Sequence, residues 1–191
     1  MTAPRLWLVR HARPLAAEGL CYGRLDLPAE DQASRSAAAA LARALPPQVA
    51  LVQHSPLQRC ELLALDVQAL RPDLASNPEP RIAEMDFGAW EGRAWGSIAR
   101  PEIDAWAADL GTHAPGGGEP LAAMLQRVAL ALQDAAARAQ GGDVVWITHA
   151  GVARCVQWLL AHGAQTMPKA QEWTLAAPAF GAWMTLPLPF A

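Results

Sequence analysis

A short apolar run that ends in two basic residues is the feature that most constrains the fold. Residues 5–14 read RLWLVRHARP, so the apolar run from Leu6 to Val9 leads directly to Arg10 and His11. An uninterrupted run of this kind is typical of a strand that is buried on both faces of a parallel sheet. Because open α/β sheets bind ligands beyond the carboxyl ends of their strands, the pattern places a guanidinium and an imidazole where the chemistry occurs.

The same pattern recurs near the C-terminus. Residues 143–151 read DVVWITHAG, which predicts a second buried strand that ends in His149. Guanidinium groups pair well with phosphate oxygens. Two strand-end histidines accompanied by the arginines Arg10 and Arg13 therefore predict a site that binds a phosphate group.

Composition bounds the class of protein. The chain has 191 residues, of which 52% are hydrophobic and 17% charged, and this predicts a single domain over residues 1–191. The net charge of −3 gives no electrostatic support for a nucleic-acid partner. No apolar run approaches the roughly 20 residues of a membrane span. No signal peptide is visible either, so we expect a cytoplasmic protein with no membrane partner.

The cysteines indicate neither disulfides nor a metal site. Cys21, Cys60 and Cys155 are odd in number and irregularly spaced, which predicts free thiols. The sequence has no HExxH motif, no cysteine pair at ligand spacing and no aspartate cluster. We therefore expect no bound metal.

Extended and helical segments alternate along the chain, which predicts an α/β fold. The predicted strands are 5–10, 50–55, 81–84, 143–148 and 181–186. The predicted helices are 30–45, 56–70, 119–140 and 151–162. Loops are predicted at 72–80, on the surface, and at Gly116–Gly118, where the glycines make the chain flexible.

The segment HSPLQR, residues 54–59, predicts a second group of anion-binding atoms. Ser55 fits the N-cap of a helix, Pro56 its first position and Gln58 the capping-box position. The start of a helix presents unsatisfied N–H groups to an anion. Arg59 lies in the same first turn, where the helix dipole disfavours a cation. Either a bound anion or simple solvation accounts for its position.

The segment EMDFGAWEG contains three acidic residues among aromatic ones. They are Glu84, Asp86 and Glu91. A carboxyl group beside aromatic surface can have a raised pKa and act as a general acid. The spacing does not choose among the three, and ordinary turn or cap acids are the alternative.

Four segments, in the same order and at matching separations, resemble the motifs of the histidine phosphatase superfamily, also called the phosphoglycerate mutase-like family. They are Arg10-His11-Ala12, Ser55 to Arg59, Glu84 ahead of Phe87 to Gly92, and Thr148-His149-Ala150. The resemblance covers nearly the whole chain. It implies a three-layer α/β/α sandwich with a mostly parallel central sheet.

The resemblance also implies a metal-independent phosphomonoesterase without a cofactor. His11 would attack phosphorus and hold the phosphoryl group as a phosphohistidine. Glu84 would protonate the leaving oxygen and then deprotonate the attacking water. The residues implied to stabilise the phosphoryl oxygens are Arg10, Arg59, His149 and the backbone N–H of Ala150.

Two departures from the family pattern affect the phosphate pocket. The usual glycine after the histidine is Ala12, and an asparagine expected a few positions later is absent. Arg13 or a residue of the segment 21–24 would supply the missing contact. Within that segment, Tyr22 and Gly23 are the predicted binding residues.

The resemblance implies that the substrate is a small phosphorylated molecule. Mutases of the family that the chain resembles are longer and carry extra basic residues, whereas only Arg93 and Arg100 lie between Glu91 and Glu119 here. The resemblance therefore favours a phosphatase over a mutase. The segments CYGRLDLP (21–28) and PGGGE (115–119) look most similar to α-ribazole phosphatase-type members, which act in cobalamin biosynthesis. The alternatives are a phosphatase of a sugar phosphate, a phosphoglycerate-type ester or a phosphohistidine protein, and a mutase-like enzyme. The non-enzyme alternative is a phospholigand-binding regulatory module.

Aromatic residues are candidates for the leaving-group side of the site. This side is predicted to contain the loop Gly116–Gly118 and three tryptophans, Trp90, Trp95 and Trp106. The tryptophans would either stack on a flat base of the substrate or pack in the core. The last strand, around Trp183, suits either the core or a homodimer interface, and the sequence leaves both open.

Overall fold

The computed structural model of the protein describes residues 4–188. Within them the strands are β1 (Arg5–Arg10), β2 (Leu51–His54), β3 (Ser76–Pro78), β4 (Val144–Thr148) and β5 (Trp183–Pro187). They form one sheet in the order β3-β2-β4-β1-β5. Only the edge strand β5 runs antiparallel to its neighbour, so the predicted mostly parallel sheet is confirmed.

The helices are α1 (Asp31–Ala44), α2 (Gln58–Leu70), α3 (Arg100–Ala108), α4 (Leu121–Ala139) and α5 (Ala150–His162). No helix within residues 4–188 is both long and apolar enough to cross a membrane. The helix α3 was not predicted, because none of its side chains is buried and it therefore lacks an apolar stripe.

The alternation of side chains along the central strands produces the predicted three layers. On β1, Leu6 and Leu8 pack in one core with α4 and α5, whereas Trp7 and Val9 pack in a second core with α1 and α2. Successive residues of a strand point to opposite faces, so a strand with both sets buried has helices on both sides. The three-layer α/β/α prediction is confirmed.

The predicted strand at 81–84 is wrong. The residues Pro80–Ile82 form a 3-10 turn, and the third strand lies earlier, inside the segment predicted as a surface loop. The Glu79 carboxylate accepts the backbone N–H of Arg81 at 3.0 Å, which caps the turn. Because β3 is a short edge strand, it tolerates Pro78.

The predicted start of α2 is also wrong. The helix begins at Gln58, and its first N–H donates to a carboxylate oxygen of Asp26 at 2.8 Å. The side chain of Gln58 in turn donates to the Asp26 carbonyl at 2.7 Å. Asp26 therefore caps the helix from a distant loop, and Ser55 does not act as its N-cap.

The apolar face of α4 gives a test of the layer assignment. Leu125 is 1% exposed in the core, whereas Leu130 on the same helix is 49% exposed. We predict that Leu125→Ala lowers the free energy of unfolding by about 2 to 5 kcal/mol, because the cavity adds to the lost burial. Leu130→Ala should change it by less than about 1 kcal/mol. Urea denaturation of both variants measures this, and equal losses would contradict the packing of α4.

Candidate active site

Two histidines meet at the carboxyl edge of the sheet. The strands β1 and β4 are parallel neighbours in which Arg10 pairs with Thr148, so His11 and His149 follow at the same level. Their rings lie 5.1 Å apart, edge to face. The exposed fraction of His11 is 2% and that of His149 is 1%. The two strand-end motifs of the sequence therefore form one buried site.

The contacts of His11 settle which ring nitrogen can react. Its Nδ1 lies 2.7 Å from the carbonyl oxygen of Ala12. A carbonyl oxygen only accepts, so Nδ1 carries the proton and donates it in this hydrogen bond. The lone pair is then on Nε2, which is the atom able to act as a nucleophile.

Burial keeps both imidazoles neutral. Desolvation, followed by the positive charge of Arg59, lowers the pKa of His11 from 6.5 to about 3. The pKa of His149 is also lowered well below 6.5, again chiefly by burial. At neutral pH the His11 ring is therefore neutral, with a free lone pair on Nε2.

Arg59 is a fully buried cation held by carbonyl groups. It is 0% exposed, and its two terminal nitrogens donate to the carbonyl oxygens of Leu25 at 2.8 Å and Gly23 at 2.6 Å. Its Nε–H is buried and has no hydrogen-bond partner within residues 4–188. The face of Tyr22 lies 5.5 Å from this guanidinium. The predicted residues Tyr22 and Gly23 thus surround Arg59.

Arg10 is the second cation of the site. One terminal nitrogen donates to the Pro178 carbonyl at 3.1 Å, and the guanidinium lies 3.8 Å above the ring of Phe180. Its Nε–H, like that of Arg59, is buried without a partner among the described residues. Buried N–H groups are nearly always hydrogen-bonded, so two unpaired ones on cations that both act on His11 suit an anionic ligand.

The three acidic candidates have different surroundings. The Glu84 carboxylate accepts the backbone N–H of Gly151, in the first turn of α5, at 3.0 Å. Asp86 accepts the N–H of Gly88 at 2.7 Å, inside its own turn. Glu91 accepts N–H groups of the 21–28 loop, that of Arg24 at 2.8 Å among them. Of these candidates, Glu84 is the one that contacts the helix following His149.

Two glycines allow this close packing. A Cβ at Gly151 would overlap the Glu84 carboxylate, and one at Gly23 would overlap the Met85 carbonyl oxygen. The sequence motifs included Gly23 but missed Gly151. Ala150 is the first residue of α5, so its N–H is among those that the helix leaves unsatisfied.

Ser55 belongs to the site in a different way from the one predicted. Its hydroxyl lies 2.8 Å from Nε2 of His149 and is completely buried. The thiol of Cys60 lies 3.5 Å from the same nitrogen. The two groups fix the orientation of the His149 ring.

Phe180 was not identified from the sequence. It lies 5.6 Å from the His11 ring, and the following residue, Gly181, donates to the His11 carbonyl at 3.0 Å. No local pattern indicates this contact, because it brings the C-terminal segment back across the N-terminal motif.

A cleft of about 640 Å³ opens beside these residues. Arg13, Leu15, Tyr22 and Phe180 line it together with the acidic side chains of Glu18 and Glu30. None of the tryptophans predicted on the leaving-group side lines this cleft. Those tryptophans pack with Phe87 instead, in a separate cluster in which Trp90 is 1% exposed. Within residues 4–188 no group of three or more His, Cys, Asp or Glu side chains is arranged to hold a metal ion.

A family model named "Histidine phosphatase superfamily (branch 1)" matches residues 6–177. The chain belongs to the histidine phosphatase superfamily. This confirms the family resemblance of the four motifs, and the observed fold is the phosphoglycerate mutase-like fold of that superfamily.

Relatives of the chain include the uncharacterised protein Rv0525 of Mycobacterium tuberculosis. It is 30% identical over 155 residues, which are 74% of this chain and 71% of the relative. Among solved structures, mycobacterial glucosyl-3-phosphoglycerate phosphatase is 25% identical with a TM-score of 0.79, covering 96% of this chain and 90% of that one. The protein TTHB049 of Thermus thermophilus is 28% identical with a TM-score of 0.73, covering 97% and 94%.

The buried histidines predict how the stability of the protein depends on pH. The pKa of His11 falls from 6.5 in the unfolded chain to about 3 on folding, so the unfolded chain binds the proton first. Neutral His11 therefore contributes fully to the free energy of unfolding above pH 6.5, and this contribution is lost as the pH falls towards 3. We predict that acidification from pH 6.5 to pH 4 lowers the unfolding free energy by up to about 1.4 kcal/mol per pH unit for this residue.

Denaturant titrations at several pH values measure this slope. His11→Gln removes the titrating group and should reduce the slope, while His149 keeps its own share. An unchanged slope in that variant would show that His11 is not buried in the neutral form.

Proposed function

We propose that the chain is a phosphomonoesterase that forms a phosphohistidine on Nε2 of His11. The observation that carries this proposal is the neutral His11 ring near the buried Arg59 and the half-buried Arg10, whose Nε–H groups lack partners within residues 4–188. A phosphate ester is an anion with several acceptor oxygens, and its phosphorus reacts with an unprotonated imidazole. The site supplies both requirements at one edge of the sheet.

The first step transfers the phosphoryl group. A bond forms between Nε2 of His11 and phosphorus while the bond from phosphorus to the leaving oxygen breaks. The proton of Glu84 passes to that oxygen, so the leaving group departs as an alcohol. Arg10 and Arg59 balance the charge on the phosphoryl oxygens, and such positioning and electrostatics provide most of the catalysis in phosphoryl transfer.

The second step restores the enzyme. A water molecule attacks phosphorus, Glu84 takes its proton, and the bond between phosphorus and Nε2 breaks. Inorganic phosphate leaves, and His11 is again neutral with its proton on Nδ1. The role of Glu84 is supported by its hydrogen bond with the N–H of Gly151, in the first turn of the helix that follows His149.

The phosphoenzyme is the intermediate that tests this proposal. Incubation with labelled p-nitrophenyl phosphate in excess EDTA and rapid quenching should trap a base-stable, acid-labile phosphate on the native protein. His11→Ala should trap none and show no turnover, because it lacks the nucleophile. His162→Ala is the matched control, since this exposed histidine lies at the far end of α5.

Trapped phosphate or retained turnover in His11→Ala would remove His11 as the nucleophile. Phosphate binding by the native protein without any turnover would favour the alternative of a phospholigand-binding regulatory module.

Two substrate classes have specific support. The segments 21–28 and 115–119 favour α-ribazole 5′-phosphate, a nucleoside-like ester. A phosphoglycerate-type ester is favoured by the glucosyl-3-phosphoglycerate phosphatase structures, and by Arg13 in the cleft beside Phe180. The guanidinium of Arg13 would pair with the carboxylate of such an ester.

A substrate comparison separates the two classes. We predict that the preferred ester has a kcat/KM at least about 100-fold above that of p-nitrophenyl phosphate, because remote contacts stabilise the transition state. If the carboxylated ester is preferred, Arg13→Gln should reduce its kcat/KM about 10-fold or more and spare p-nitrophenyl phosphate. A preference for α-ribazole 5′-phosphate with no effect of Arg13→Gln would instead support the cobalamin assignment.

A further inference from the structure

The proposed mechanism gives no role to the partly buried ion pair between Glu119 and Arg127. Arg127 of α4 donates through Nε and Nη2 to the two carboxylate oxygens of Glu119, at 2.7 and 2.8 Å. The arginine side chain is 17% exposed and the glutamate side chain 13%. A fork-to-fork pair of this kind holds both groups in one orientation.

The remaining donors of Arg127 bind the backbone that leads to Glu84. Its Nη1 donates to the carbonyl oxygens of Arg81 and Ala83, both at 2.7 Å. Its Nη2 also donates to the carbonyl of Glu84 at 3.2 Å. One guanidinium therefore binds three carbonyl groups within four residues of chain.

Glu119 holds the same segment from its other end. Its backbone N–H donates to the carbonyl oxygen of Asp86 at 2.8 Å. The pair Glu119–Arg127 therefore contacts the backbone on both sides of the Glu84 side chain. Residues 83–87, around Glu84, lie in neither a helix nor a strand, so regular secondary structure does not hold them.

The glycine-rich loop places Glu119 in this position. A Cβ at Gly118 would overlap the Asp86 carbonyl, and one at Gly116 would overlap the Phe87 carbonyl. Gly116 also has a φ of +58°, a conformation that favours glycine. The loop is therefore packed backbone to backbone against residues 86–90. The sequence predicted a flexible loop here, and these contacts hold it in one conformation.

We infer that Glu119 and Arg127 are positioning residues that set the direction of the Glu84 carboxyl group. This inference rests on the proposed function, in which Glu84 is the proton donor. The carboxylate itself has two hydrogen bonds within residues 4–188, from the N–H groups of Met85 and Gly151. Its place thus depends on the backbone that Arg127 holds.

The leaving group gives a readout that a merely structural role would not change. A poor leaving group such as the alcohol of glycerol phosphate needs the proton from Glu84 in the transition state, whereas p-nitrophenolate leaves readily without it. Misplacing a catalytic group by about 1 Å can cost about 100-fold in rate. A positioning defect therefore appears with one ester and not with the other.

The experiment measures kcat/KM for both esters in Arg127→Lys and Glu119→Gln. Arg127→Lys keeps the charge and loses the planar fork. We expect a loss of about 10- to 100-fold with glycerol phosphate and of less than about 3-fold with p-nitrophenyl phosphate. The same pattern is expected of Glu84→Gln, and combining it with Arg127→Lys should add no further loss.

Arg71→Lys is the matched control. Arg71 also forms a two-bond pair with a carboxylate, that of Asp73, and donates to the carbonyls of Pro46 and Pro47. It lies at the C-terminal end of α2, away from the site, with a side-chain exposure of 20%. This variant should leave both kcat/KM values within about 2-fold of the native protein.

The outcomes separate this inference from the proposed function. Equal losses with both esters in Arg127→Lys, or additive losses with Glu84→Gln, would overturn the positioning role while the phosphohistidine on His11 stands. Absence of a trapped phosphohistidine in the native protein would overturn the proposed function and the inference with it. The melting temperature of each variant is measured first, to confirm that the variant is folded at the assay temperature. If Arg127→Lys is unfolded, Glu119→Gln tests the inference instead.

Discussion

Parallel pairing of β1 with β4 is the interaction on which the site depends. It brings two strand ends that are 138 residues apart in sequence to the same level, and the N–H of His11 donates to the Thr148 carbonyl at 3.1 Å. Both strands are buried on both faces, so the imidazoles that follow them enter a region from which water is largely excluded. That exclusion lowers the pKa of both histidines and keeps both rings neutral at neutral pH.

The position of the site at the carboxyl edge of the sheet could be predicted from the sequence, because the apolar pattern that indicates it is local. Four apolar residues before Arg10 indicate a buried strand, and the periodic leucines of α4 indicate its buried face. The contacts that complete the site are not local. Asp26 caps α2 from 32 residues away, and Arg127 reaches carbonyls 43 to 46 residues away. The contacts of Phe180 and Gly151 likewise depend on how distant segments pack.

The acidic residues have two kinds of role: Glu84 is the proposed proton donor, whereas others hold loops and helices in place. Glu91 accepts three backbone N–H groups, which tie the loop that carries Gly23 to the turn after Asp86. Glu119 orients Arg127, and Asp26 caps α2. The local sequence could not separate these roles, since the difference lies in which distant donors each carboxylate meets.

The arginines also fall into two groups, those paired with a carboxylate and those held by carbonyl groups. Away from the phosphate pocket, Arg71, Arg81 and Arg127 are each paired with a carboxylate, which cancels their charge. Arg59 is instead held by two carbonyl groups, and Arg10 by a carbonyl group and the face of Phe180. Carbonyl dipoles and ring faces stabilise a guanidinium without neutralising it. The fold thus holds the buried guanidinium of Arg59 and the half-buried one of Arg10 by carbonyl and ring contacts, and a dianionic phosphate at the proposed site would balance their charge.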